Sequence, residues 1–522
     1  MTDAAADYDV VVVGGALAGA ATALLLRRED PSLRVLIIEK NDAFKRRVGE
    51  ATVEISAYFF CRVLGLTQFL TQTQLAKNGL RFWFSNERSG NLGGCSEIGG
   101  QYLSTVPSFL VDRAVLDEEV LRRAVAEGSE LLRPAAVESV HLASGSLQTL
   151  RVRAGEESRT LRTRWVVDAS GVRCLLARAH GWWRSFDAHP TLSAWARFRG
   201  VPDWDSAELV SKHPSLGSPF VGIRGTATNH LTGYGWWAWL IALKGGDTSV
   251  GVVIDPRRAS WPEGDAGPAE KLRAFLGRHA ATAELLGAAE PVAGDAHFRR
   301  HLPYRSTVMA GDGFVLTGDA SAFLDPFYSP GMDWLTFSVS AAIRTILTWR
   351  RGEALEPVLA GHNRDFETSY QRMFEALYEN KYDYLGDFDL MRIALRLDIA
   401  LYYLFVARPI FFEGTRLLPF PAFSVREALP IYALMKVVNR RLASIGHHRH
   451  LSGRFGINNQ GRRDLFAGFN FRISHLLKII GGAVWSWLRL EATEGWKSWG
   501  GSKADHRDLQ PESQTRPPQN LG

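Results

Sequence analysis

The chain has 522 residues, of which 46% are hydrophobic and 22% charged, with a formal net charge of +6. These proportions exclude a disordered polymer, and the length calls for two or three packed lobes. Three cysteines, Cys61, Cys95 and Cys174, stand in no CxxC or metal spacing, which excludes a disulfide scaffold, gives no reason to expect a metal, and points to a reducing, cytoplasmic setting. The opening MTDAAADYDVVVVGG shows neither a basic n-region nor a cleavage pattern, so no export signal is read there. IALYYLFVA and LLKIIGGAVWSWLRL come nearest to a membrane span, and both are too short and flanked by charge.

Residues 9–39 read as a buried strand (DVVVVGG), a tight turn, a helix opening on small residues (AGAATALLLRRED) and a second strand (RVLIIEK). Residues 53–76 look helical, and VDRAVLDEEVLRRAVAEGSELL is a long helix. Strands dominate from about 135 to 170 and from 193 to 255. GDGFVLTGD, 311–319, is a strand that delivers a loop. From Gly331 to about 405 the pattern is mostly helical, the following part is weakly patterned, and 500–522 reads as a loose polar tail. There is no internal repeat. The positive surplus is concentrated between Lys436 and Lys497, which reads as a solvated basic face or as a docking face for an anionic membrane or an acidic carrier protein; no nucleic-acid partner is expected.

Gly14, Ala16 and Gly19 occupy the three positions of a GxGxxG turn, with alanine replacing the middle glycine. Such a turn brings backbone close to a pyrophosphate, and the helix that follows offers free amides and its positive dipole end. Glu39 ends the second strand, where a carboxylate accepts from ribose hydroxyls and disfavours a 2′-phosphate. WVVDASGVRC places Asp168 at a strand end, and GFVLTGDAS does the same for Gly318 and Asp319. No second glycine fingerprint follows, so a dedicated pyridine-nucleotide domain is not expected.

Taken together these pieces resemble the glutathione-reductase-like flavoproteins, in the branch of the aromatic hydroxylases. In that family the Gly-Asp pair meets the ribityl chain and phosphates, and VDRAVLD is similar to a stretch whose arginine, here Arg113, touches the nucleotide. Phe323, Pro326, Ser329 and Gly331 fit FxxPxxSxG in every position, and this motif resembles the flavin-dependent halogenases of the tryptophan halogenase superfamily. Proline fixes φ and removes a donor, while Ser329 and Gly331 offer N–H groups beside Pro330 at the mouth of a helix, an arrangement suited to a halide. Trp237, Trp239 and Ile241 match WxWxIP except that Ala242 replaces proline; the resemblance makes them a barrier between substrate and flavin oxidant. Lys77, followed by Gly79 and Phe82–Phe84, is similar to the family's essential lysine, and Gly49 and Glu50 match its Gly-Glu stretch. An ammonium there would hydrogen-bond hypohalous acid or form a haloamine.

Tryptophan halogenases carry a glutamate just before the motif serine, and Tyr328 stands in that place here. The resemblance therefore implies a phenolic or pyrrole-like substrate, free or carrier-bound. It also implies FAD reduced by a separate flavin reductase, and chloride or bromide as co-substrate. Phe82, Trp83, Phe84, Tyr102 and Trp334 are candidate aromatic walls, and Phe323 and Tyr328 join Trp237 and Trp239 as barrier or substrate-pocket residues. The expected architecture is α/β: an FAD-binding Rossmann-like domain from 1–110, 155–185 and 295–350, a substrate-side β-sheet region from 111–154 and 186–294, a helical region at 351–500 and a tail at 501–522. An FAD-dependent aromatic monooxygenase acting with NAD(P)H is the alternative within the same branch. A flavin-bound protein that works by docking is the alternative outside catalysis.

Overall fold

A computed structural model describes residues 6–498, apart from 105, 218–222, 415, 416, 420 and 427; the expected tail at 501–522 lies outside them. The N-terminal run YDVVVV forms a strand, Tyr8–Val13, whose last four residues are buried. It is flanked in parallel by Val35–Ile38 on one side and Glu157–Asp168 on the other. Phe314–Leu316 and Glu130–Leu132 extend the parallel set. A parallel sheet is covered on both faces, which is why its central strands Tyr8–Val13 and Val35–Ile38 carry continuous Val/Ile/Leu runs without alternation. The Leu17–Glu29 helix covers one face and packs against the helices Arg113–Ala126 and Pro330–Arg350.

A second sheet runs in the order Glu290–Pro291, Leu192–Arg199, Thr248–Ile254, Trp236–Ala242, Thr228–Gly233, Leu80–Phe84, Ser96–Gly100 and Arg463–Phe466. Strand alternation decides which side chains reach the centre of the molecule. Trp237, Trp239 and Ile241 point into the core that also holds Phe327 and Trp334, while Ala238 and Leu240 point into the opposite one.

Two expected boundaries move. The segment 111–154 belongs with the nucleotide-binding lobe, because its strands Ala136–His141 and Gln148–Ala154 pair onto Glu157–Asp168 and its helix packs on Leu17–Glu29. Leu80–Phe84 and Ser96–Gly100, expected in that lobe, are instead hydrogen-bonded into the second sheet. Local pattern gives a strand but not its partner. The C-terminal chain also contributes a strand, Arg463–Phe466, parallel to Ser96–Gly100. This join is charged: buried Glu97 pairs with Arg81, Arg224 and Arg463.

The rest of the C-terminal part is helical: Glu356–Met373, Phe388–Tyr402, Leu429–Leu451 and Ile473–Thr493. Part of its positive charge turns inward. Arg449 is buried between Asp387 and Glu494, and Arg441 holds Glu491.

Candidate functional site

The C-terminal ends of the parallel strands open into a cavity of about 800 Å³, a volume suited to a large organic cofactor. Gly14 begins it with φ +105°, and a Cβ there would sit 2.5 Å from the Ala169 carbonyl oxygen. A Cβ at Gly19 would lie 1.9 Å from Gly14 O, so Gly19 serves close packing and does not itself line the cavity. Ala16, Leu17 and Ala18 do line it, at a helix N-terminus with no side-chain cap, leaving amides for an anionic group. Glu39 lines the cavity too, its carboxylate accepting from the Gly15 and Asn41 N–H groups at 2.8 and 2.9 Å. Arg113, bidentate on Asp117, stands at the wall with Arg46 and Arg47.

Asp168 and Gly318 differ from the sequence reading. Asp168 is fully buried and caps its own turn, accepting from the N–H groups of Ser170 and Leu176. Gly318, at φ +56°, donates its N–H to Ser338. Their neighbours Ala169, Ser170, Thr317 and Asp319 face the cavity instead. Burial raises the Asp319 carboxyl, opposed by the nearby Arg113, Arg299 and Arg47. Glu50, also raised by burial, is held by Arg197 at 2.7 Å. Tight glycines, uncapped helix amides, an acid at the strand end and several arginines fit a dinucleotide.

The far end of the cavity is built by the loop 323–332. Phe323, Pro326, Ser329, Gly331 and Met332 line it, with Trp237, Trp239 and His230 opposite. Tyr328 and Ser329 both have left-handed backbone, φ +70° and +59°, a strained pair for non-glycine residues. The strain is held by anchors. Phe327 N–H donates to Asp325, Tyr378 donates to Phe327 O, and Tyr328 OH donates to Asp398 at 3.0 Å. Ser329 N–H is not free as expected, since it donates to Pro326 O at 2.9 Å. Of the helix's first orphan amides, Pro330 has none; Gly331 and Met332 follow it, both residues line the cavity, and the Ser329 side chain does not cap them. A Cβ added at Gly331 would meet nothing within 4 Å.

On the other side of the same loop lies a chamber of about 180 Å³. Tyr328, Pro330, Asp333 and Trp334 line it together with Lys77. Lys77 is 3% exposed and donates to Thr52 O at 2.7 Å. Burial lowers its pKa from 10.5 to about 8, opposed by nearby Glu54 and Asp333. Burial lifts the Asp333 carboxyl to about 7, although it accepts from Ser56 N–H at 3.0 Å. Tyr403 OH donates to Glu54 at 2.6 Å. Glu54, Asp333 and the Tyr402–Tyr403 pair were not singled out in the sequence; Glu54 lies two residues past the Gly-Glu-Ala-Thr stretch and Asp333 two residues past Gly331, which was the available signal. Among the expected aromatic walls, Tyr102 and Trp334 line the chamber. Phe82, Trp83 and Phe84 do not: all three are fully buried, Phe82 stacked on His230 and Trp83 on Trp204.

Trp237 is fixed by donation to Tyr382 OH at 3.0 Å, and Tyr382 in turn donates to Asp325. The tryptophans therefore wall the large cavity, and the loop 326–333 is the partition between cavity and chamber.

This arrangement defines an FAD-binding flavoprotein of the Rossmann type with a separate, lysine-lined chamber. The tryptophan halogenase family model matches residues 9–93 and 95–380, and the chain belongs to that family. It is 24% identical over 371 residues to the flavin-dependent halogenase chlA of Dictyostelium discoideum, covering 64% of this chain and 58% of that protein. It is also 24% identical to a 1H-pyrrole-2-carbonyl-[peptidyl-carrier protein] chlorinase of Pseudomonas fluorescens, covering 72% of this chain and 81% of that enzyme. Its fold is that of the halogenase PltM, solved with phloroglucinol and FAD: the TM-score is 0.72 at 17% identity, over 94% of this chain and 99% of the other.

Proposed function

We propose that the chain is an FAD-dependent halogenase that places chloride or bromide on an electron-rich, single-ring phenolic or pyrrole-like substrate. The observation that carries this reading is the partition: one short loop lines the large cavity with Ser329, Gly331 and Met332 and lines, with Tyr328, Pro330 and Asp333, a chamber holding a buried lysine.

Gly14, Ala16, Glu39, Arg113 and Asp319 would hold FAD, with Glu50 and Phe323 toward the ring end. When bound and reduced, with dioxygen, the flavin supplies the oxidant that converts halide to hypohalous acid. The Gly331 and Met332 N–H groups hold the halide at the cavity end, where the helix dipole adds to them. Trp237 and Trp239 keep the substrate ring away from the flavin. Lys77, one of its three donors spent on Thr52 O, offers the remaining N–H groups to hypohalous acid and polarises its halogen toward the ring. Asp333 and Glu54 keep the ammonium charged by lying near it.

Tyr328 does not supply the missing glutamate. Its hydroxyl is committed to Asp398 and its pKa is raised well above the usual phenol range by burial. Ring activation thus falls to the substrate's own oxygen or nitrogen, which favours a phenol or pyrrole. The chamber admits one ring with small substituents. The chlorinase relative acts on a pyrrole joined to a carrier protein, so a carrier-bound substrate remains within the reading. The reductant comes from a separate flavin reductase.

The test is incubation with a flavin reductase, NADH, FAD, oxygen and phloroglucinol, with bromide, chloride or neither, followed by mass analysis. A halogenated product that requires halide supports the reading. A hydroxylated product formed without halide overturns it in favour of a monooxygenase.

A further inference from the structure

The last long helix, Ile473–Thr493, hides only a narrow ridge. Leu476 and Ala483 are buried, with Ile479 and Ile480 packed toward Ala400 and Tyr403 of the neighbouring helix. The opposite face is apolar and open. Ile473, Leu477, Gly481, Trp485 and Leu488 recur at helical spacing and are all exposed, Trp485 at 69% and Leu477 at 54%. That is the reverse of a surface helix in a globular protein, where the exposed stripe is polar.

Charge is sorted along the same segment. Its two acids turn inward, Glu491 onto Arg441 and Glu494 onto Arg449. Arg472, Lys478, Arg489 and Lys497 are exposed, and Lys478 and Arg489 flank the apolar stripe. The patch extends beyond the helix: Phe412, 66% exposed, meets Phe471 with ring centroids 5.9 Å apart. It also approaches the chamber. Exposed Tyr102 and Leu103 line the chamber mouth, and the adjoining Gln101 N–H donates to Phe466 O, just upstream of the helix.

We propose that this face seats the protein on an anionic lipid bilayer. The helix lies in the interface plane, with the Ile473–Leu488 stripe among the acyl chains and the lysines and arginines at the headgroups. An apolar stripe bordered by basic residues alone is the pattern of an interfacial helix, and outward charge of one sign selects an anionic surface. No helix among the described residues is long and apolar enough to cross a membrane, so the contact is peripheral. The proposal is independent of the reaction assigned above.

The experiment is flotation of the full chain with vesicles of phosphatidylcholine, or of phosphatidylcholine mixed with phosphatidylglycerol. Partition into the mixed vesicles should exceed that into the neutral ones by about tenfold or more at low salt, and fall toward the neutral level at high salt. Leu477→Glu with Trp485→Glu should lower it at least about tenfold while the melting temperature stays unchanged, since both side chains already face water. Equal partition into both vesicle types, or none, overturns the proposal. So does a Trp485-dependent dimer, or a Trp485-dependent complex with an acidic carrier protein, in a chain that ignores vesicles.

Discussion

Replacing Lys77 with methionine separates function from stability. The lysine sits 3% exposed, with its pKa brought down from 10.5 to about 8 mainly by burial. That depression corresponds to roughly 3 kcal/mol against the charged form at neutral pH. Methionine keeps the length and removes the charge, but leaves Thr52 O without its donor, a loss of about 1–2 kcal/mol. Lys77→Met should therefore gain about 1–2 kcal/mol at pH 7 and lose halogenation. The sign with pH is fixed. Between pH 8 and 10.5 the unfolded chain holds the proton that the folded chain has released, so the wild-type protein gains stability as pH rises through that window. The variant does not, and its advantage disappears by pH 10.5. Urea unfolding at pH 7 and pH 10 reads the two stability effects, and mass analysis of product from phloroglucinol and bromide reads the loss of halogenation, with FAD binding followed by fluorescence as the control. A variant less stable than wild type at pH 7, or one whose difference is the same at both pH values, would refute the reasoning.

Gly331→Ala should leave the fold intact or stabilise it by about 0.5–1 kcal/mol, because the added methyl meets nothing and helix propensity improves; halide KM should rise several-fold, measured by initial rates over a bromide series. Asp333→Asn should be the more stable protein at pH 8 by about 2–4 kcal/mol. The native carboxyl, with its pKa raised from 3.8 to about 7, contributes stability that is present below pH 3.8 and lost as pH rises through 7. Thermal unfolding across pH 5–8 reads this as a slope present in the native protein and flattened in the variant. Glu97→Ala should cost about 3–5 kcal/mol in denaturant unfolding, since it strands three arginines around one buried site. If the ammonium is the working form of Lys77, kcat should fall on the alkaline side through about pH 8.

The nucleotide half was legible because its signals are local. A buried valine run, a glycine turn and an acid at the next strand end are neighbours in sequence, and they stayed neighbours in space. The loop at 323–332 was legible by its prolines, yet its hydrogen bonds were not: nothing in the letters shows that Ser329 N–H closes on Pro326 O. Sheet membership was the weakest reading. Leu80–Phe84 alternates no differently from a strand of the first sheet, and only its pairing to Thr228–Gly233 assigns it to the second. The chamber could not be read at all as a unit, because Glu54, Lys77, Asp333 and Tyr402 come from four separate segments.

The central claim is that the Gly331 and Met332 amides hold the halide on the cofactor side of a partition whose other side faces Lys77. A crystal soaked in bromide and recorded at the bromine edge tests it directly. Anomalous density within hydrogen-bond reach of those two nitrogens, absent or displaced in Gly331→Val, is the expected result. Density confined to other sites in crystals of an enzyme that brominates phloroglucinol would contradict it.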